Sequence, residues 1–350
     1  MKKKFLSVFM AVMVLFTLTF ALSACKDDSD SGSDSDASSD EVIVMKIGST
    51  VSDDSVAGSL LLEFIEPEIE KRSNGRIDVE IYNNSVLGGD RELYEALQLG
   101  TLECSCGPLS VLTNFDATFG ISDLPFLYEN AEIADAALDG EWGAKLAENL
   151  PEQGMRVIVY VENGYRNISN SKKPITSLAD LSGMKIRVME SPVYLSTWKA
   201  LGTNPTPIAF SELYTALQNG TVDGQDNGPG LTYTSKVYEV QPYYTVSEQQ
   251  YAASANVVSE AWWQSLSEED QAVITEVFEE YRDLQRAKNR EMESEYIALM
   301  EEYGVQVNYL SDEAKAEFKE ACQAVWTEME ATYGEELMAL AREVSTKYAK

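Results

Sequence analysis

The order of apolar and polar positions in the first third of the chain is that of alternating strands and helices. Met45-Lys46-Ile47-Gly48 reads as a short strand, and residues 56–71 carry apolar side chains at helical spacing up to a stop at Ser73-Asn74-Gly75. Ile77 to Tyr82 (IDVEIY) alternates as a half-buried strand should. Asp90 is placed to cap a helix that runs to Gln98 and closes at Gly100, and residues 101–106 form the next strand. This β-α-β-α-β rhythm predicts an α/β protein with a parallel, doubly wound sheet. Ligands of such sheets sit beyond the carboxyl ends of the strands.

Further along, residues 157–161 (VIVYV) predict a strand, with 163–166 as a turn and candidate hinge. Residues 184–189 (MKIRVM) predict another strand, with Ile186 and Val188 on one face and Arg187 on the other. Pro205-Thr206-Pro207 reads as a rigid connector. Residues 267–303 contain no Gly or Pro and carry Ile274, Val277, Phe278, Tyr281 and Leu284 as one stripe, extended by Tyr296, Met300 and Tyr303. At 1.5 Å per residue this helix would be about 54 Å long, more than a domain's diameter. It should therefore cross two lobes. Arg282, Arg286 and Arg290 share one of its faces and read as a solvated, salt-bridged surface beside Glu279, Glu280 and Asp283.

An internal echo supports two lobes of similar build. Residues 92–101 (ELYEALQLGT) and 212–221 (ELYTALQNGT) are identical at eight of ten positions, 120 residues apart. Each copy is a helix, a glycine stop and a strand start.

The ends of the chain have a different character. Lys2, Lys3 and Lys4 precede an uncharged apolar run over residues 5–21, which ends in Leu22-Ser23-Ala24-Cys25. This reads as a signal segment whose last four residues resemble a bacterial lipobox, implying cleavage after residue 24 and acylation of Cys25; the alternative is a plain signal peptide or an N-terminal membrane anchor with Cys25 incidental. Residues 26–41 hold seven acids, six serines and no large apolar side chain, so they should form a solvated tether.

Over its 350 residues the chain has 58 acids, 27 bases and no histidine, for a formal charge of −31. Residues 42–350 keep 51 of the acids against 23 bases. Such a balance excludes nucleic acid and polyanions as partners. The missing histidine removes Ser-His-Asp and Cys-His catalysis and HExxH zinc sites. No cofactor or metal site is expected. Cys104 and Cys106 lie two apart, where a direct bridge is strained, and read as small buried hydrophobes. With Cys25 lipidated, Cys322 completes an odd set.

The segment from Gly183 to Asn227, GMKIRVMESPVYLSTWKALGTNPTPIAFSELYTALQNGTVDGQDN, resembles the solute-binding proteins of tripartite ATP-independent periplasmic (TRAP) transporters, the DctP-like family. Gly75-Arg76-Ile77, Leu87-Gly88-Gly89-Asp90-Arg91, Asp123-Leu124-Pro125-Phe126-Leu127 and Gly164-Tyr165-Arg166 are similar to its other motifs. The resemblance implies a two-lobed periplasmic-binding-protein-like fold with a long lobe-spanning helix. Lobe I would comprise residues 42–163 plus about 253–290, and lobe II residues 164–252 plus about 291–350. It implies a monomeric extracytoplasmic receptor, not an enzyme, that closes on a small organic acid and passes it to the small and large membrane subunits of a TRAP permease. Arg187 matches the arginine that grips the ligand carboxylate, Asn227 an asparagine that helps hold it, Phe210 an aromatic wall and Arg166 a second arginine. Two places depart from the family pattern: Gly228 stands before Pro229, and no His or Asn is found near Glu248, where many members carry one. A receptor for a sensor or an ATP-driven importer remains open, as does a carboxylate-pair glycoside hydrolase.

Overall fold

The computed structural model describes residues 42–349. The expected signal segment, Cys25 and the acidic tether lie outside the described residues. Among those described, nine strands join in one mixed sheet: β1 Ile43–Ser49, β2 Ile77–Tyr82, β3 Cys104–Pro108, β4 Met155–Asn170, β5 Lys185–Val188, β6 Asn204–Pro207, β7 Gly224–Asn227, β8 Tyr243–Ser259 and β9 Gln306–Tyr309. Their order is β2-β1-β3-β8-β4-β7-β5-β6, with β9 on the other half of the β8 edge.

The spine is the long antiparallel pair β4 and β8, so the sheet is mixed and not the wholly parallel, doubly wound sheet expected. At one end, β3 pairs with β8 and leads to parallel β1 and β2. At the other end, β7 pairs with β4 and leads to parallel β5 and β6. The echoed segments occupy equivalent places in the two halves. Helix Asp90–Gln98 precedes β3, and helix Leu213–Gln218 precedes β7. Both stops close alike: Gly100 N–H donates to Leu97 O and Thr101 N–H to Ala96 O, as Gly220 does to Leu217 O and Thr221 to Ala216 O.

Neighbouring residues of the spine face opposite cores, as strand alternation requires. Val257 packs with Leu97, Phe119, Leu138 and Trp142, whereas Val258 packs with Ile47, Ile65, Val79 and Phe278. The second half has its own core around Ile168, Ile186, Val188, Trp198 and Phe318. Cys104 and Cys106 are buried beside Met45 and Tyr281 as free thiols, and Cys322 is buried in the second half.

The expected long helix spans Glu268–Tyr303, capped by the Ser267 hydroxyl and ended by Gly304. Its first half buries Ile274, Val277, Phe278 and Tyr281 in the first half's core, and its far end buries Met300 against Tyr244 and Val246. Leu284 and Tyr303 depart from the expected stripe and are exposed. The stretch Asp312–Tyr348 is two helices meeting at a kink at Gly334 (φ 79°, ψ 160°), and it also crosses: Phe318 and Cys322 pack in the second half, Val325 and, beyond the kink, Met338 and Val344 in the first.

Local expectations are corrected too. Residues 163–166 do not turn; β4 continues through them, and Asn163 is an extra residue between the pairs Glu162–Ala253 and Gly164–Ala252. Gly164 takes a φ of 85°, which a side chain would strain, so the glycine permits the bulge. Pro205 to Pro207 are not a connector but part of edge strand β6, where a missing N–H is tolerated. The helix over 56–72 is interrupted by a π turn at Leu61–Ile65, just before Pro67, which cannot donate to the helical ladder. Arg286 and Arg290 are not a solvated face. Arg286 is buried and donates to Asp139 at 2.6 and 2.9 Å and to Tyr160 O at 2.9 Å. Arg290 donates to Asp135 at 2.7 Å and to Glu162 at 2.8 Å. They fasten the long helix to the spine beside the bulge, where Gln285 also clamps the Glu162 backbone, accepting from its N–H and donating to its carbonyl.

Candidate functional site

A cleft lies between the two halves of the sheet. It is walled by the carboxyl ends of β1, β3, β5 and β7, where Thr50, Gly107, Arg187 and Asn227 lie, and floored by Glu162 and Asn163 of the bulge. The parallel strands of both halves thus point their carboxyl ends at one space, as expected for such sheets. Ile208, Phe210 and Leu231 supply apolar wall. All four residues singled out from the sequence line this cleft: Arg187, Asn227, Phe210 and Arg166.

The two arginines have opposite electrostatic circumstances. Arg187, at 2 % exposure, donates through Nε to Ile208 O at 2.8 Å, and its buried Nη1 has no partner among the described residues. Burial, and then the nearby Arg166, push its guanidinium down to about 10, against the pull of Asp226, Asp90 and Glu190. A buried charge with an open donor is costly until an anion arrives. Arg166, at 1 % exposure, is already paired: Nε meets Asp226 Oδ2 at 2.7 Å, Nη2 meets Oδ1 at 3.1 Å, and Nη2 also donates to the Asp226 carbonyl. Burial depresses its basicity, but Asp226 outweighs burial and holds it above the ordinary arginine range. Its guanidinium also lies 5.1 Å from the centre of the Tyr194 ring.

Asn227 is held by its neighbours on β7. Its amide donates to Gln225 Oε1 at 2.7 Å, and Gln225 in turn donates to Ser169 Oγ at 2.8 Å. Tyr244 donates to the Asn227 carbonyl at 3.3 Å. This buried polar network ties the end of β7 to β4 and, across it, to β8. Phe210 opens a short 3₁₀ turn and packs against Leu213 and Leu217 while facing the cleft, so core packing and pocket wall coexist in it.

Two acids were not singled out as site residues. Asp90 was expected as a helix cap, yet Gly89 is the cap and Asp90 the first helical residue. Its carboxylate accepts from Thr50 Oγ1 at 2.9 Å in the cleft wall. Burial raises it to about 6, opposed by the Thr50 hydrogen bond and by Arg187. Asp226 is fully buried, and only its position in VDGQDN, an acid inside a strand, hinted that it must meet a cation. The two departures are also placed. A Cβ on Gly228 would come within 3.0 Å of Asn163 O, so glycine lets the exit of β7 pass the bulge. Glu248 lies outside the cleft wall and pairs with Lys315 at 2.6 Å.

The family model for bacterial extracellular solute-binding proteins, family 7 (DctP), matches residues 47–332. The chain belongs to the DctP family. Among DctP relatives, it is 34% identical to a solute-binding protein of Verminephrobacter eiseniae over 83% of this chain and 86% of that one. It is 33% identical to the C4-dicarboxylate-binding periplasmic protein of Rhodobacter capsulatus, over 85% and 90%. Among solved structures, it superposes with a TM-score of 0.86 on the sugar acid binding protein of Advenella mimigardefordensis in complex with galactonate. That protein is 34% identical, with 88% of this chain and 99% of that one covered. The two-lobed DctP architecture with its long helix is therefore that of this protein. Among the described residues no helix is long and apolar enough to cross a membrane.

Proposed function

We propose that this DctP protein is an extracytoplasmic receptor that binds a carboxylate-bearing solute between its lobes and delivers it to a TRAP permease. The observation that carries the reading is Arg187: a buried guanidinium in the cleft with an unpartnered Nη1. A planar fork of this kind grips a carboxylate by two charge-assisted hydrogen bonds. In this reading Asn227 supports the same carboxylate, Phe210 packs against the ligand's carbon skeleton, and Arg166 adds positive potential while bonded to Asp226. Lobe I comprises residues 42–163 and about 253–290, lobe II residues 164–252 and about 291–350, with the helix that follows the Gly334 kink docked on lobe I. The lobes close about the bulge at 163 and its partner near 252, where the register of the spine shifts. The chain is anchored as a monomer through lipid on Cys25, and the acidic tether holds the receptor off the membrane.

The test is calorimetric titration with a panel of organic acids. The expected result is one carboxylate per chain in the native protein. Removing one partner of a buried charge pair costs about 2–5 kcal/mol, so Arg187→Ala should weaken binding by about 30-fold or more. Equal affinity in Arg187→Ala would overturn the assignment.

A further inference from the structure

The charges around the cleft balance in a way that selects among carboxylates. Two arginines line it, but Arg166 is satisfied by Asp226 at 2.7 Å. Three acids line it as well: Asp90, Glu162 and Glu190. Glu162 is matched by Arg290 at 2.8 Å, Asn289 at 3.1 Å and Tyr251 at 3.1 Å. What remains is one cation with an open donor, Arg187, and two carboxylates, Asp90 and Glu190, close enough to both pull on Arg187. One ligand carboxylate completes Arg187. A second would find no free cation among the described residues and would face buried Asp90 and half-buried Glu190, where like charges repel.

The acids are instead suited to accept hydrogen bonds. Asp90 uses Oδ1 for Thr50 and has Oδ2 in reserve. An ionised carboxylate can only accept, and a ligand hydroxyl is the neutral donor that meets it without adding charge. The apolar walls at Ile208, Phe210 and Leu231 are compatible with a carbon chain lying between the two ends.

We infer that the cleft takes a polyhydroxylated monocarboxylate of the aldonate class rather than a dicarboxylate, with Asp90 accepting hydrogen bonds from the ligand's hydroxyls. This rests on the proposed receptor function and narrows it. A site built to bond a hydroxyl rejects the analogue lacking it, because the buried acceptor is then left unpaired.

The experiment is calorimetry near neutral pH with D-galactonate and D-erythronate, with succinate as the dicarboxylate, and with hexanoate as the monocarboxylate lacking hydroxyls. One of the two hydroxy acids should bind at least about tenfold tighter than succinate and hexanoate, the loss expected when a hydrogen bond to a charged group is unmade. Asp90→Asn, nearly isosteric, should weaken the hydroxy acid by at least about tenfold and narrow its lead over succinate. Succinate binding the native protein as tightly as either hydroxy acid would overturn the inference, whether or not the variant folds. Unchanged hydroxy-acid affinity in a folded Asp90→Asn protein would overturn it too. If no carboxylate binds the native protein, or Arg187→Ala binds normally, the receptor reading itself fails and this inference falls with it.

Discussion

Replacing Arg187 by methionine should separate function from stability in opposite directions. Methionine fills much of the arginine stem's volume, so little cavity forms. The fall of the guanidinium from its ordinary value to about 10 corresponds to about 3 kcal/mol spent on holding it charged in the empty cleft. Against this, the variant loses the Nε hydrogen bond to Ile208 O, worth about 1–3 kcal/mol for a charged donor. The ligand-free variant should thus be as stable as the native protein or more stable by up to about 2 kcal/mol. Binding should fall by about 30-fold or more, because the ligand's carboxylate enters a desolvated site with no partner. The assay is urea unfolding of the ligand-free proteins beside calorimetry of both. Saturating ligand should raise the midpoint of the native protein and leave that of the variant in place. A variant that loses more than about 2 kcal/mol without ligand would mark Arg187 as a structural pillar, and its stabilisation of the fold would then exceed what burial allows. A variant that keeps its affinity would remove Arg187 from the site altogether.

Two further outcomes follow from buried groups. Asp123 accepts from Ser110 and Ser191 at 3.0 and 3.1 Å, and burial, outweighing those bonds, raises it to about 7. Its folded form therefore holds a proton more tightly than the unfolded chain, whose carboxyl titrates at about 4. Stability from this group is full below about 4 and is lost as pH rises through about 7, so Asp123→Asn should flatten the pH profile of unfolding across that window. An unchanged slope would show that Asp123 does not titrate there. Burial also raises the Cys106 and Cys322 thiols to about 12 and Cys104 well above its usual value, so an aromatic disulfide reagent should label these three only on unfolding. Rapid labelling of the native protein at any of them would contradict the packing described.

Much of the architecture was legible because it is periodic. The stripe from Ile274 to Tyr281 requires a helix, and its length requires two bodies to cover it. The repeated ELY-AL-GT segments place two matching helix-stop-strand units, and the sheet puts each at the inner edge of its half. Local departures were hidden because they depend on partners. The bulge at Asn163 exists through its pairing with Ala252 and Ala253, some ninety residues away in sequence. Arg286 and Arg290 looked like a solvated ladder, since the acids beside them on the helix masked Asp135, Asp139 and Glu162, which reach them only in the folded chain.

Arg187 and Arg166 make the same point at the site. Sequence alone, through the motif around it, singled out Arg187 and placed it at the end of a strand. It also determined the helix-stop-strand units, the two-lobed plan, the burial of Cys104 and Cys106 and the lack of histidine, which follow from composition, periodicity and the internal echo. Nothing local could decide which arginine remains available to a ligand. That depends on Asp226 closing on Arg166 across 60 residues and on Asp90 and Glu190 standing near Arg187. Charge balance inside a desolvated cleft is a sum over groups from many elements, and only the tertiary structure brings them within range of one another.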